Sequence, residues 1–187
     1  HRAEVARRLS VPVVMQFDEP LLPAALAGRI TGVTALSPVH PVDEVLAIGL
    51  YNDCVARLGG EVMLHCCAAD LPWTMLQRSA IQAVSVDVSM LGPDGLDGLG
   101  SFVDSGRTAV LGLLPVLAPD VRPSAEEVAA AAAAVTDRIG FPRAVLGERI
   151  GISPTCGLAG ATDAWARAAT GLSERAATSI AEDPSAI

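Results

Sequence analysis

His65 and Cys67 are separated by one residue in the run EVMLHCC (61–67), a short apolar stretch that begins directly after Gly59 and Gly60. On a strand, alternate side chains share a face, so the imidazole and the Cys67 thiol converge while Cys66 points the other way. An imidazole nitrogen and a thiolate offered from one strand make half of a zinc site. The same spacing also arises where a buried histidine packs among core cysteines, and spacing alone leaves both readings open. Cys156 adds a third group, because Pro154 and Gly157 set it on a tight turn, PTCG, instead of in a core. Asp87, near the end of AVSVDV (83–88), offers either a fourth donor oxygen or a cap for the backbone turn beyond the strand. Asp18 and Glu19 follow VPVVMQF (11–17) directly. The remaining candidates read more plainly: Cys54 as a helix residue packed in the core, His40 as a loop residue, and His1 as an uninformative terminus.

The elements that must position these groups alternate between short β-rich runs and amphipathic helices. Strands are predicted over 11–17, 61–67, 83–88 and 108–116, with a last one in the second half of 143–155, over GERIGISP. Helices are predicted over 41–60, 72–80, 94–106 and 123–140, followed by two terminal helices over 160–172 and 173–183. In the first of these, Asp43 and Glu44 lie in the opening turn and Gly59 and Gly60 stop it. Ser124 with Glu127 reads as a capping box, and Gly140 as a stop. Trp73 and Trp165 fall near helix starts, where they pack as amphipathic anchors. An alternating βα pattern means parallel strands joined by right-handed crossovers. About five strands suit a doubly wound sheet, and equally the C-terminal part of a (β/α)8 barrel. In either, ligand-binding groups gather at the carboxyl ends of the strands, where His65, Cys67, Asp87, Cys156, Asp18 and Glu19 all fall.

Composition narrows the chemistry. The chain has 187 residues, 51% hydrophobic, 18% charged and only 3% aromatic, so its core is built from Ala, Val, Leu and Ile and intrinsic disorder is excluded. All thirteen basic residues are arginine, which removes Schiff-base lysines and the P-loop lysine from consideration. A net charge of −8 without a basic stripe argues against nucleic acid as a partner. No apolar run reaches the ~18–20 residues of a membrane span, and HRAEVARRLS lacks the apolar core of a signal peptide. The expected address is the cytoplasm, where cysteines stay reduced.

QFDEPLL (16–22), LHCCAAD (64–70), VSVDVS (84–89) and ISPTCGL (152–158) stand in an order and at spacings that resemble the C-terminal barrel of cobalamin-independent methionine synthase. The likeness runs from about residue 11 to 170, and DEP, H-x-C and P-x-C-G-L are its specific parts. It implies a (β/α)8 barrel of the TIM type, of which this chain holds roughly the last five βα units, and a cytoplasmic enzyme of methionine biosynthesis. It implies a catalytic zinc ion held by His65, Cys67 and Cys156, with the family's glutamate position falling on Asp87, one methylene shorter. It also implies that Asp18 holds the amino group of homocysteine, the thiol that is methylated to give methionine.

Two departures shape the expectation. The family's Asp-x-His segment after the fourth strand corresponds to Pro115 and Leu117, so the acid that would protonate a folate leaving group is absent. Methyltetrahydrofolate is thereby disfavoured as methyl donor against a methyl-corrinoid protein. The family's barrel also begins with strands and a Gly-Ser segment not found here, so residues 1–187 are expected to be the later part of one catalytic barrel domain in a longer polypeptide. The alternatives are a related zinc thiol methyltransferase acting on coenzyme M with a corrinoid donor, and a metal-free barrel like uroporphyrinogen decarboxylase.

Overall fold

The computed structural model describes residues 2–34 and 39–187; His1 and Pro38, the neighbour of His40, lie outside them. In chain order the elements are α1 (Arg2–Leu9), β1 (Met15–Asp18), α2 (Leu22–Leu26), α3 (Glu44–Leu58), β2 (Val62–Cys66), α4 (Trp73–Arg78) and β3 (Ala83–Asp87). They continue with α5 (Pro93–Asp104), β4 (Thr108–Leu114), α6 (Ala125–Arg138), α7 (Arg143–Arg149), β5 (Ile150–Pro154) and α8 (Asp163–Glu182).

The five strands form one parallel sheet in the order β1-β2-β3-β4-β5. That order argues against the doubly wound sheet. A doubly wound sheet reverses direction at a switch point, whereas here each strand lies beside the next in chain order, and the usual right-handed crossovers then put the connecting helices on one face. The sheet is therefore singly wound, as in part of a barrel wall. Val62, Leu64, Cys66, Val84, Val86, Ala109 and Leu111 fill the helix-covered face and are buried. Gln16, Asp18, Met63, Ser153 and Gly151 lie on the opposite face and remain partly or fully accessible.

Local chemistry explains where elements begin and end. Asp43 caps α3, accepting from the Val45 and Leu46 amides at 2.9 and 3.1 Å, so it stands just before the first turn and not within it. Gly59 ends that helix at φ +60°, a conformation that costs glycine little. The predicted capping box is present: Glu127 N–H donates to Ser124 Oγ at 3.1 Å and Ser124 N–H to Glu127 Oε2 at 2.7 Å.

Several expectations need correction. The two terminal helices are one, α8, because Trp165, Ala169, Leu172, Ser173, Ala176 and Ile180 form a continuous buried stripe across Gly171. Continued burial outweighs the ~1 kcal/mol that a helical glycine costs. The last strand starts only at Ile150, since Arg143–Arg149 form a helix that buries Leu146 and has no side-chain cap to announce it. The first strand starts at Met15, where pairing with Val62 begins. Cys54 is exposed. The α3 face that carries it with Leu50 borders an apolar cavity of about 420 Å³ and is not in the core.

Candidate metal centre

Strand pairing brings the chemistry together. Asp18 lies opposite His65, and His65 opposite Ser85. The Glu19 amide donates to the His65 carbonyl at 2.8 Å, which ties the DEP turn to the end of β2. Alternation then separates the two carboxylates. Asp18 faces the accessible side of the sheet, held by a hydrogen bond from Gln16 Nε2 at 2.6 Å. Glu19 lines the apolar cavity on the helix side, with its carboxylate beside the Tyr51 hydroxyl. Burial, with that carboxylate beside it, pushes the Tyr51 phenol above its ordinary value.

Cys156 comes from the other end of the sheet. The Thr155 amide donates to the Leu114 carbonyl at 2.8 Å, anchoring the turn after β5 to β4. Gly112 makes this approach feasible. A Cβ there would stand 2.6 Å from the Val86 carbonyl oxygen and 2.7 Å from the Thr155 Cα, so a larger residue would push the turn away.

One ligand atom each from His65, Cys67 and Cys156 lies within 4.8 Å of the others. They border a cavity of about 340 Å³ together with Asp18, Gln16, Ser85 and Ser153. His65 is buried; its Nδ1 is 3.1 Å from Ser85 Oγ, and its buried Nε2 has no hydrogen-bond partner among the described residues. The Cys67 and Cys156 sulfurs are 3.8 Å apart. That is far beyond a disulfide bond. It matches the edge of a tetrahedron whose two sulfurs each sit about 2.3 Å from one zinc, which is also about 3.8 Å. An orphaned imidazole nitrogen and two sulfurs at that spacing fit a tetrahedral zinc ion with one position open, the arrangement of catalytic rather than closed structural sites.

Asp87 stands apart from this group. Its carboxylate accepts from the Ser89 amide at 2.9 Å and the Ser89 hydroxyl at 2.6 Å, capping the 3-10 turn Val88–Met90. The structure thus realises the capping reading of this residue and does not bring it to the three ligand atoms. Cys66 is fully buried on the helix side, where burial raises its thiol above the usual value. His40 sits in an exposed loop. Ser85 and Gln16 were missed by reasoning from sequence; a serine interrupting the apolar strand AVSVDV was the available signal.

Burial and the neighbouring Cys156 sulfur hold the Cys67 thiol above its ordinary value, which favours its protonated form at neutral pH. Metal binding needs the thiolate. Zinc uptake should therefore release protons and weaken as pH falls, which calorimetry in buffers of different ionisation enthalpy would read; uptake independent of pH and buffer would exclude thiolate ligation.

No curated protein matches the chain. The family model described as the cobalamin-independent synthase catalytic domain matches residues 1–179. Members of that family are methyltransferases, zinc-dependent in general. With residues 1–179 matched out of 187, the chain belongs to the catalytic domain of the cobalamin-independent methionine synthase family.

Proposed function

We propose that this protein is a zinc-dependent methyltransferase that transfers a methyl group to the thiol of homocysteine, giving methionine. The observation that carries the reading is the convergence of His65, Cys67 and Cys156 at the carboxyl ends of two strands, with the buried Nε2 of His65 unpartnered. Zinc held there would lower the pKa of a thiol brought to its open position and so favour a thiolate nucleophile near neutral pH. Asp87 would have to leave the Ser89 turn to become a fourth ligand, and the open position is assigned to the substrate. Asp18, on the same sheet face, would hold the substrate ammonium group and thereby orient the sulfur for in-line attack on the methyl carbon. A sulfur–carbon bond forms as the bond from methyl to donor breaks, and the donor keeps the electron pair.

The donor that fits is one whose leaving group needs no proton. Pro115 and Leu117 occupy the segment where an acid would stand, and Leu117 is 63% exposed. This favours a methyl-corrinoid protein over methyltetrahydrofolate. The five-stranded sheet is, on this reading, the last five βα units of a (β/α)8 barrel of ~250 residues, with residues 1–187 belonging to one catalytic domain. The accessible second face supports this, because parallel sheets are ordinarily covered on both sides.

The test is methyl transfer from methylcobalamin to a panel of thiols. Homocysteine should outpace 2-mercaptoethanesulfonate, the coenzyme M thiol. Asp18→Asn should raise KM for homocysteine about ten- to a hundredfold, in keeping with the ~1.5–3 kcal/mol of a charge-assisted hydrogen bond, and leave a thiol without an amino group unaffected. Equal losses for both thiols would remove Asp18 from substrate recognition.

A further inference from the structure

We propose that Ser85 is a positioning residue for the metal centre: its hydroxyl accepts a hydrogen bond from His65 Nδ1–H, which leaves the lone pair of the ring on Nε2, the nitrogen then free to bind a metal. The inference rests on the zinc reading and adds a residue to it. A neutral imidazole carries one proton, and whichever nitrogen holds it cannot bind a metal. The choice between the two nitrogens is thus made by the hydrogen bond that the other one forms.

Three observations converge. The parallel register sets His65 directly against Ser85, so the pair is a consequence of strand alignment and not of a mobile loop. Both residues are buried, at 7% and 4% exposure, so water does not compete freely for the ring. Nδ1 and Oγ are 3.1 Å apart, whereas Nε2 has no hydrogen-bond partner among the described residues. If Ser85 instead donated to Nδ1, the proton would sit on Nε2, buried and unsatisfied, at a cost of about 1–3 kcal/mol. Acceptance by Ser85 avoids that cost once Nε2 faces a cation. Nothing else on β3 can do this: Ala83 lacks a polar group, and Asp87 is committed to Ser89.

The experiment compares the parent chain with Ser85→Ala and Ser85→Thr. Long-range proton–nitrogen NMR on metal-free protein, at a pH where the ring is neutral, reports the tautomer. Competition with a chromophoric chelator reports the zinc Kd. The parent should hold the proton on Nδ1. Ser85→Ala should shift the ring toward the Nε2–H form and raise the zinc Kd about 10–100-fold, the usual effect of losing such a partner. Ser85→Thr, which keeps the hydroxyl, should restore both. A parent ring protonated on Nε2, or a folded Ser85→Ala chain with the parent's Kd, overturns the proposal. Should the alanine variant fail to fold, the parent's tautomer decides alone. A parent that takes up no zinc but carries Nδ1–H overturns the zinc reading, and with it the role of Ser85 toward a metal, while leaving the hydrogen bond itself established.

Discussion

Cys156→Ser should abolish zinc retention and methyl transfer while leaving the unfolding of the metal-free chain almost unchanged. Cys156 sits exposed on a turn, and its side chain approaches the Cys67 sulfur at 3.8 Å. Surface substitutions of that kind shift stability by only about ±0.5 kcal/mol. Zinc, by contrast, loses one of two thiolates, and a serine hydroxyl does not replace it near neutral pH. The loss of affinity should exceed the 10–100-fold typical of an outer hydrogen-bond partner. Cys66→Ser provides the opposite pattern. Cys66 neighbours Cys67 in sequence but is fully buried against the helices, so a hydroxyl there destabilises the fold and spares the metal. Chelator-competition titrations and thermal melts on both variants separate the two roles. A Cys156→Ser chain that keeps the parent's zinc affinity would remove Cys156 from the site.

Trp165→Ala should lower stability by about 3–5 kcal/mol, the cost of truncating a large buried aromatic. Trp165 is fully buried, its Nε1–H donates to the Pro115 carbonyl at 3.0 Å, and the Arg122 guanidinium lies 5.9 Å from its ring centroid. It thereby joins α8 to the end of β4, the strand on which the Cys156 turn is anchored. For a chain of this size the melting temperature should fall by about 6–20 °C. Trp165→Phe keeps most of the apolar volume and gives up the hydrogen bond. Since Pro115 is exposed and water can reach it, that change should cost about 0.5–1.5 kcal/mol. Calorimetric melts on both variants check the ordering, and an alanine variant melting with the parent would contradict the packing role.

Much of this was legible in the residues because the signals were local. Short apolar runs bounded by Gly and Pro mark five strands, and strand alternation alone separates Cys66 from His65 and Cys67. The capping box at Ser124 was equally plain. What could not be read depended on tertiary packing. The helix Arg143–Arg149 has one buried residue and no side-chain cap, so neither periodicity nor capping announces it. The unity of α8 across Gly171 is decided by the groove its stripe fills. Whether Cys54 is covered depends on what packs against α3. Asp87 shows the limit most clearly: at a strand end its carboxylate could reach a metal or its own turn, and Ser89, two residues on, supplies a nearer partner. Strand order, which chose the singly wound sheet over the doubly wound one, is a property of pairing that no short stretch of sequence encodes.

Whether a zinc ion is held by His65, Cys67 and Cys156 is decided by metal analysis with X-ray absorption on protein purified without chelator. About one zinc per chain is expected, with two sulfur neighbours and one imidazole nitrogen contributed by those residues. Protein that carries no zinc, or zinc whose neighbours include no sulfur, would contradict it.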